Sequence, residues 1–316
     1  MIKYNNSNIN DWNYGDDNII KVYRNNAVCY YKVISSGDTP TPTLPNYLRF
    51  VARQNGSFRL SGNTVEYSLD SGTTWTELAS DTESPSVSSG SIIMWKATNP
   101  PLVTNNGIGR FYSTGQFDVE GNIMSLIYGD DFETATTISN DGQFMSLFYG
   151  NLNVINASGM TLPSTNVPAN GYRSMFTNCT NIVTAPSVLP ATTLADRCYS
   201  SMFNGCTSLT TAPSLPATTL ANYCYLSMFN GCTSLTTAPV LSATTLANNC
   251  YSYMFYNCTS LNNITCLATD MSAAYCTNGW LRGVASSGTF TKAASMSWPT
   301  GDSGIPDGWT VEDYVS

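Results

Sequence analysis

Apolar and polar positions follow two different patterns along this chain, and each predicts its own kind of element. In the first third the alternation is short. Ile19–Arg24 and Ala27–Ile34 are β-like runs parted by Asn25-Asn26, which predicts a hairpin. A lone hairpin is marginal in water, so residues 1–36 are expected to be a docking segment stabilised by another surface. Prolines then alternate with polar residues up to Pro45, which makes 37–45 a semi-stiff linker. Across 46–115, the runs Tyr47–Ala52, Ser57–Leu60, Thr64–Ser68, Thr74–Leu78, Ser91–Lys96 and Gly109–Tyr112 are parted by turn residues, predicting a small antiparallel β-sandwich.

The second pattern is a long period. Met175-Phe176, Met202-Phe203, Met228-Phe229 and Met254-Phe255 are spaced by 27, 26 and 26 residues, and Cys179, Cys206, Cys232 and Cys258 keep the same steps. A copy of this length cannot bury its own apolar face and must stack on its neighbours. Within one copy, Cys198, Met202 and Phe203 stand at i, i+4 and i+5, which predicts one or two helical turns leaving through Gly205. Leu209–Ala212 alternates like a short strand until Pro213 stops it. The expected architecture is α+β, mainly β: after the sandwich, a solenoid of short helices and short parallel strands over 116–280. Residues 116–170 are read as degenerate capping coils containing Ile123–Gly129 and Phe144–Gly150, 171–280 as regular 26-residue repeats, and 281–316 as a C-terminal cap.

Composition narrows the function. Only 11% of residues are charged, and Ser, Thr, Asn and Gly fill the surface. The net charge is −8 with scattered basic residues, so no footprint for a phosphate backbone exists. The apolar runs fall far short of the roughly 20 residues of a membrane helix. The N-terminal residues Met1–Asn8 lack the apolar run of a secretory signal, so export by that route is not expected. Of ten cysteines, eight occupy repeat positions, and there is no histidine. The cysteines are therefore read as a reduced, buried ladder and not as a zinc site. No cofactor or metal and no catalytic residue is expected.

Candidate contact residues come from the places where the copies differ or expose hydroxyls. The pairs Asp196-Arg197, Asn222-Tyr223 and Asn248-Asn249 precede the predicted helices, and Ser200-Ser201, Leu226-Ser227 and Ser252-Tyr253 vary within them. Thr210-Thr211 and Thr236-Thr237 would repeat along a ladder about 4.8 Å apart, with at least one hydroxyl of each pair facing solvent. Asp196, Arg197, Asn222, Tyr223, Asn248, Asn249, Thr210, Thr211, Thr236 and Thr237 are thus the candidates for ligand contact. Trp12, Tyr14, Ile20, Val22, Tyr23 and Tyr30 are the candidates for docking the N-terminal segment on a partner.

Three resemblances add expectations. Ser68-Leu-Asp70-Ser-Gly72-Thr-Thr74-Trp75 resembles the Asp-box, a hairpin turn found in sialidases and other carbohydrate-active proteins. Phe203-Asn-Gly-Cys-Thr-Ser-Leu209 with Ser214-Leu-Pro216 resembles the BspA-like, or Treponema-type, leucine-rich repeats, which implies a curved solenoid for adhesion or protein binding. The whole arrangement, including Phe117–Tyr128 and Gly304–Val311, is similar to proteins encoded by crAss-like and related phages of gut Bacteroidales. Together these imply a non-enzymatic virion surface protein, head fibre, decoration or tail-associated. Its N-terminal segment would meet other virion proteins and its solenoid a host-surface glycan or protein. It would be a homo-oligomer, a trimer by analogy with phage fibres, assembled in the host cytoplasm and binding neither nucleic acid nor membrane. A bacterial cell-surface BspA-like adhesin is the alternative, and would need an export signal. A carbohydrate-active enzyme ranks third, because carboxylates such as Asp130-Asp131 are adjacent and not set across the about 5 to 9 Å gap of glycosidases.

Overall fold

The computed structural model describes residues 46–98 and 107–315, together with the backbone of four strands near the N-terminus. Those four, β1 (Ile9–Tyr14), β2 (Ile19–Arg24), β3 (Ala27–Lys32) and β4 (Pro42–Thr43), form an antiparallel sheet in the order of the chain. The lone hairpin expected here is thus extended on both sides. The backbone pairs Trp12 with Val22, Tyr14 with Ile20 and Tyr30 with Lys21, and places Tyr23 opposite Val28. The side chains of these six docking candidates lie outside the described residues.

Next come β5 (Leu48–Ala52), β6 (Phe58–Ser61), β7 (Val65–Ser68), β8 (Thr76–Leu78), β9 (Ile92–Ala97), β10 (Arg110–Ser113), β11 (Phe117–Asn122) and β12 (Val154–Thr161). Alternation sets their faces: Leu48, Phe50 and Ala52 of β5 are buried while Arg49 and Val51 between them are not. A six-stranded sheet runs β12-β11-β5-β9-β7-β8, and β6 pairs with β10 in a second, two-stranded sheet. This differs from the expected antiparallel sandwich because β11 and β12 are parallel and carry the larger sheet onward past residue 115. Between the sheets Phe50 meets Phe58, Phe111 and Phe117 with ring centroids 4.7 to 5.1 Å apart, and Trp95 at 5.5 Å, in tilted and edge-on geometries.

The leucine-rich-repeat solenoid of short helices and strands is not formed. Among the described residues the single α-helix, α1 (Ser125–Tyr128), has four residues, is followed by a 3-10 turn over Gly129–Thr134, and lies outside the repeats. The fold is mixed α+β with its strands in separate sheets that do not curl into one surface. Where Cys198–Asn204 was expected to be helical, amides alternate between two duties. Cys198, Ser200, Met202 and Asn204 donate to the carbonyls of Ala195, Arg197, Tyr199 and Ser201. Arg197, Tyr199, Ser201, Phe203 and Gly205 donate instead to Asn222, Cys224, Leu226, Met228 and Asn230 of the next copy. A helix would spend every amide on its own turn. Here every fourth residue is left-handed, Arg197 (φ 57°), Ser201 (φ 56°) and Gly205 (φ 73°), which reverses the chain and frees alternate amides for the neighbouring copy. A four-residue turn buries Cys198, Met202 and Cys206 at the same spacing a helix would, which is why the pattern misled.

The expected strand Leu209–Ala212 is likewise reduced to single parallel bridges, Asn156 to Thr184, Thr184 to Thr211 and Thr237 to Asn263. Regular strands in this half are the two-residue pair β13 (Asn166–Val167) and β14 (Thr193–Leu194), and a three-stranded parallel sheet of β15 (Asn263–Cys266), β16 (Thr289–Lys292) and β17 (Thr310–Asp313). No other strand of the described residues pairs with the outer side of β17.

What holds these turn-built layers together is registered packing of like on like. Phe148, Phe176, Phe203, Phe229 and Phe255 stack with centroids 5.2 to 5.7 Å apart and planes within 7°. A second column runs Phe144, Tyr172, Tyr199, Tyr225, Tyr251, Trp280 and Trp298 at 5.3 to 6.3 Å. Phe148 also stacks on Phe111 of the β-sheet region at 5.8 Å, so the two regions share one core.

Candidate functional site

The rim candidates stand on the left-handed positions of the layers or directly before them. Arg197 (φ 57°), Tyr223 (φ 58°) and Asn249 (φ 54°) form one column with Asn170 and Tyr275, tied by bonds from the Arg197 amide to the Asn222 carbonyl and from the Tyr223 amide to that of Asn248. The Arg197 guanidinium lies over the Tyr223 ring, 4.3 Å from its centroid, so these two candidates are spent partly on each other. Asp196 is exposed and its carbonyl accepts from the Asn170 amide, while Asn248 Oδ1 accepts from the Ala274 amide at 2.9 Å. Thr210, Thr211, Thr236 and Thr237 are all exposed, so both members of each pair face solvent. Thr210 Oγ1 donates to the Val183 carbonyl at 3.3 Å, which makes its hydroxyl part of the ladder. No hydrogen bond or ring contact among the described residues joins the threonines to the rim set, so the structure does not gather the two into one site.

The cysteines work as donors between layers. Cys179, Cys206, Cys232 and Cys258 direct Sγ at the carbonyls of Phe148, Phe176, Phe203 and Phe229 at 2.9 to 3.1 Å. All nine described cysteines are free and buried. Burial pushes the thiols of Cys179, Cys198, Cys250, Cys258 and Cys266 up to about 12, and those of Cys206, Cys224 and Cys232 well above the ordinary value. Such thiols are poor nucleophiles and poor metal ligands. Among the described residues no group of three or more His, Cys, Asp or Glu side chains could hold a metal ion, and no helix is long and apolar enough to cross a membrane.

In the β-sheet region the Asp-box-like turn closes on itself. Asp70 accepts from the Thr74 amide and the Ser68 hydroxyl, both at 2.8 Å, and from the Thr74 hydroxyl at 2.7 Å. The Thr74 amide bond leads in holding the exposed Asp70 carboxyl below its usual range. Trp75 leaves this turn to pack on Tyr47 at 4.8 Å and beneath Lys96, whose Nζ sits 4.6 Å from the ring. Lys96 in turn donates to both oxygens of Asp130 at 2.9 Å and lies 3.4 Å from Glu66, while the Tyr47 hydroxyl donates to Asp130 at 2.7 Å. Burial pushes the Asp130 carboxyl up, but the hydrogen bonds from Lys96 and Tyr47 outweigh it and hold the group below its ordinary value. Burial and the Asp130 carboxylate together push the Tyr47 phenol well up. The cluster is satisfied within itself and pins the 3-10 turn to the sheet. Asp131, the sequence neighbour of Asp130, is not part of it.

One more of the positions where the copies differ carries contacts of its own. Tyr253, which is 39% exposed, has its hydroxyl bonded by Asn278 Nδ2 at 3.0 Å and stands edge-on to Tyr256 at 5.8 Å. Its sequence signal was the departure of Ser252-Tyr253 from the serine-rich copies. Asn278 comes from the following layer, which spacing alone did not link to it.

No family model, curated protein or solved structure matches this chain. The leucine-rich-repeat, BspA-like and solenoid descriptions fail on the fold, since the described residues lack the repeating helices and strands they require. The functions that depended on them fall with them: the phage virion surface protein presenting such a solenoid, and the BspA-like adhesin. Of the adjacent carboxylates weighed for a carbohydrate-active enzyme, Asp130 is engaged by Lys96 and Tyr47.

Proposed function

We propose that this chain is a non-catalytic structural spacer, a stiff block that holds what precedes it at a set distance from what meets its far end. The observation that carries the reading is the alternating amide ladder. Every second amide of the turn segments in residues 170–257 is bonded to the next layer, and the same segments are filled by two unbroken ring columns. A backbone bonded both within and between layers has few soft torsions left, and close-packed rings resist shear. The low charge fits the same role, because layers stacked this closely would suffer from like charges repeated in register.

The test is geometric. Deleting residues 198–223 removes one full copy and joins Arg197 to Cys224. Spin labels at Asn181 and Asn262, both exposed, then report the span by pulsed electron resonance. A spacer gives a narrow distance distribution that shortens by about 5 Å in the deletion variant. A broad distribution in the intact chain, or an unchanged distance after deletion, overturns the reading.

A further inference from the structure

We propose that Tyr253, Tyr256 and Asn278 form a binding corner for a neutral pyranose ring, a role that goes beyond the spacer reading. At the left-handed position held by Tyr253 (φ 53°), the earlier layers carry Ser174, Ser201 and Ser227. Three residues further on, Tyr256 stands where those layers have Thr177, Asn204 and Asn230. Stacking therefore does not require an aromatic residue at either place, and this layer carries one at both.

The next layer is shaped to receive the Tyr253 ring. Gly279 lies directly beneath it: a Cβ there would come within 2.8 Å of Tyr253 Cε1 and 3.0 Å of Cδ1. With no side chain below, the ring rests on backbone and keeps 39% of the residue's surface open. The Asn278 amide fixes the phenol at 3.0 Å, so the ring is held in place before any ligand arrives. Tyr256 stands at 76° to it and forms the second wall.

The corner has one flat apolar floor, one upright wall and polar groups at the edge. A pyranose has matching chemistry, with a face of C–H groups and a rim of hydroxyls. Its C–H face covers the Tyr253 ring while a rim hydroxyl reaches Asn278 Oδ1 or the Tyr253 oxygen. A tyrosine already fixed by a hydrogen bond loses little rotamer freedom on contact, which favours binding on so small a surface. A cation is a poorer fit: the chain already places Arg197 on Tyr223, whereas no charged side chain of the described residues lies over Tyr253.

Saturation-transfer nuclear magnetic resonance on the full chain tests the assignment, using the methyl α- and β-glycosides of glucose, galactose and N-acetylglucosamine as probes. The expected result is transfer to the C–H protons of one sugar face for at least one glycoside. Tyr253→Ser, which installs the residue of the other layers and so keeps the fold, should weaken binding by about tenfold. Tyr149→Ser, at an exposed tyrosine of an earlier layer, should leave it unchanged. Absence of transfer from every glycoside, or equal transfer in the Tyr253→Ser protein, overturns the proposal. So does a proline-rich peptide that binds through Tyr253 while the glycosides do not.

Discussion

The β-sheet region and the turn-built layers treat ionisable groups in opposite ways. Six of the seven ion pairs among the described residues join side chains between Arg49 and Asp130, and the seventh, Lys292 with Asp313, sits at the far end of the layers. All nine described cysteines and the buried tyrosines Tyr172, Tyr199, Tyr225 and Tyr251 lie in the layers instead. The difference follows from geometry. Antiparallel strands bring unlike residues together, so charges can be matched, as Glu66 is opposite Lys96. Parallel layers of one repeated motif bring like residues together, and only groups that stay neutral tolerate that company.

The strongest way to break this comparison is alkali. A thiol raised in the folded state from an ordinary 9.0 to about 12 gives stability that is complete below 9 and is lost as pH climbs toward 12. Each such thiol contributes up to about 1.4 kcal/mol per pH unit in that window, and several act together. Urea midpoints should therefore fall steeply above about pH 9, with the first proteolytic cuts, mapped by mass spectrometry, inside the layers. First cuts in the β-sheet region would contradict the comparison.

Next in size is the loss of one ring. Phe203 is fully buried between Phe176 and Phe229, 5.5 and 5.7 Å away. Phe203→Ala should cost about 3 to 5 kcal/mol in urea unfolding. Amide exchange should quicken in the layers on both sides and much less in β5–β9.

Two glycines sharpen the contrast further. Gly109 (φ 115°) faces Ser61 so closely that a Cβ would overlap its carbonyl oxygen, whereas at Gly231 (φ 74°) nothing lies nearer than 3.7 Å. Gly109→Ala should cost about 2 to 4 kcal/mol, and Gly231→Ala about 1 kcal/mol from the left-handed backbone alone. Thermal unfolding of the two variants checks the order.

The smallest effect lies on the acid side. Because Asp130 is held below its ordinary value, its pairing stabilises the fold above the usual carboxylate range and is lost as pH falls through the depressed value. Asp130→Asn should flatten the acid limb of the stability curve, read as urea midpoints against pH. The exposure of this carboxylate keeps the change modest.

How far these features could be read from the sequence depends on what each residue answers to. The 26-residue step is visible because Phe203, Cys206 and their counterparts must meet their own kind in the next layer. The local conformation is not, since burial at every fourth position suits a helix and a chain of reversing turns equally. The tie-breaker was available in part: Ser, Asn, Tyr and Cys are mediocre helix formers, and Gly205 recurs as Gly231. For the site, Tyr253 stood out against the serines, but the floor and the hydrogen bond it needs come from Gly279 and Asn278, a full layer away. Asp130 reaches Lys96 only through the 3-10 turn, a placement set by packing and carrying no periodic signal.

The outer margin of β17 has its own consequence. A row of backbone groups left without a neighbour is a template on which a second chain can grow. Here that margin carries Glu312 and Asp313 on a strand whose residues are all exposed. An identical margin brought alongside would set Glu312 against its own copy, Asp313 being already paired with Lys292, so this edge disfavours growth onto a second copy of itself.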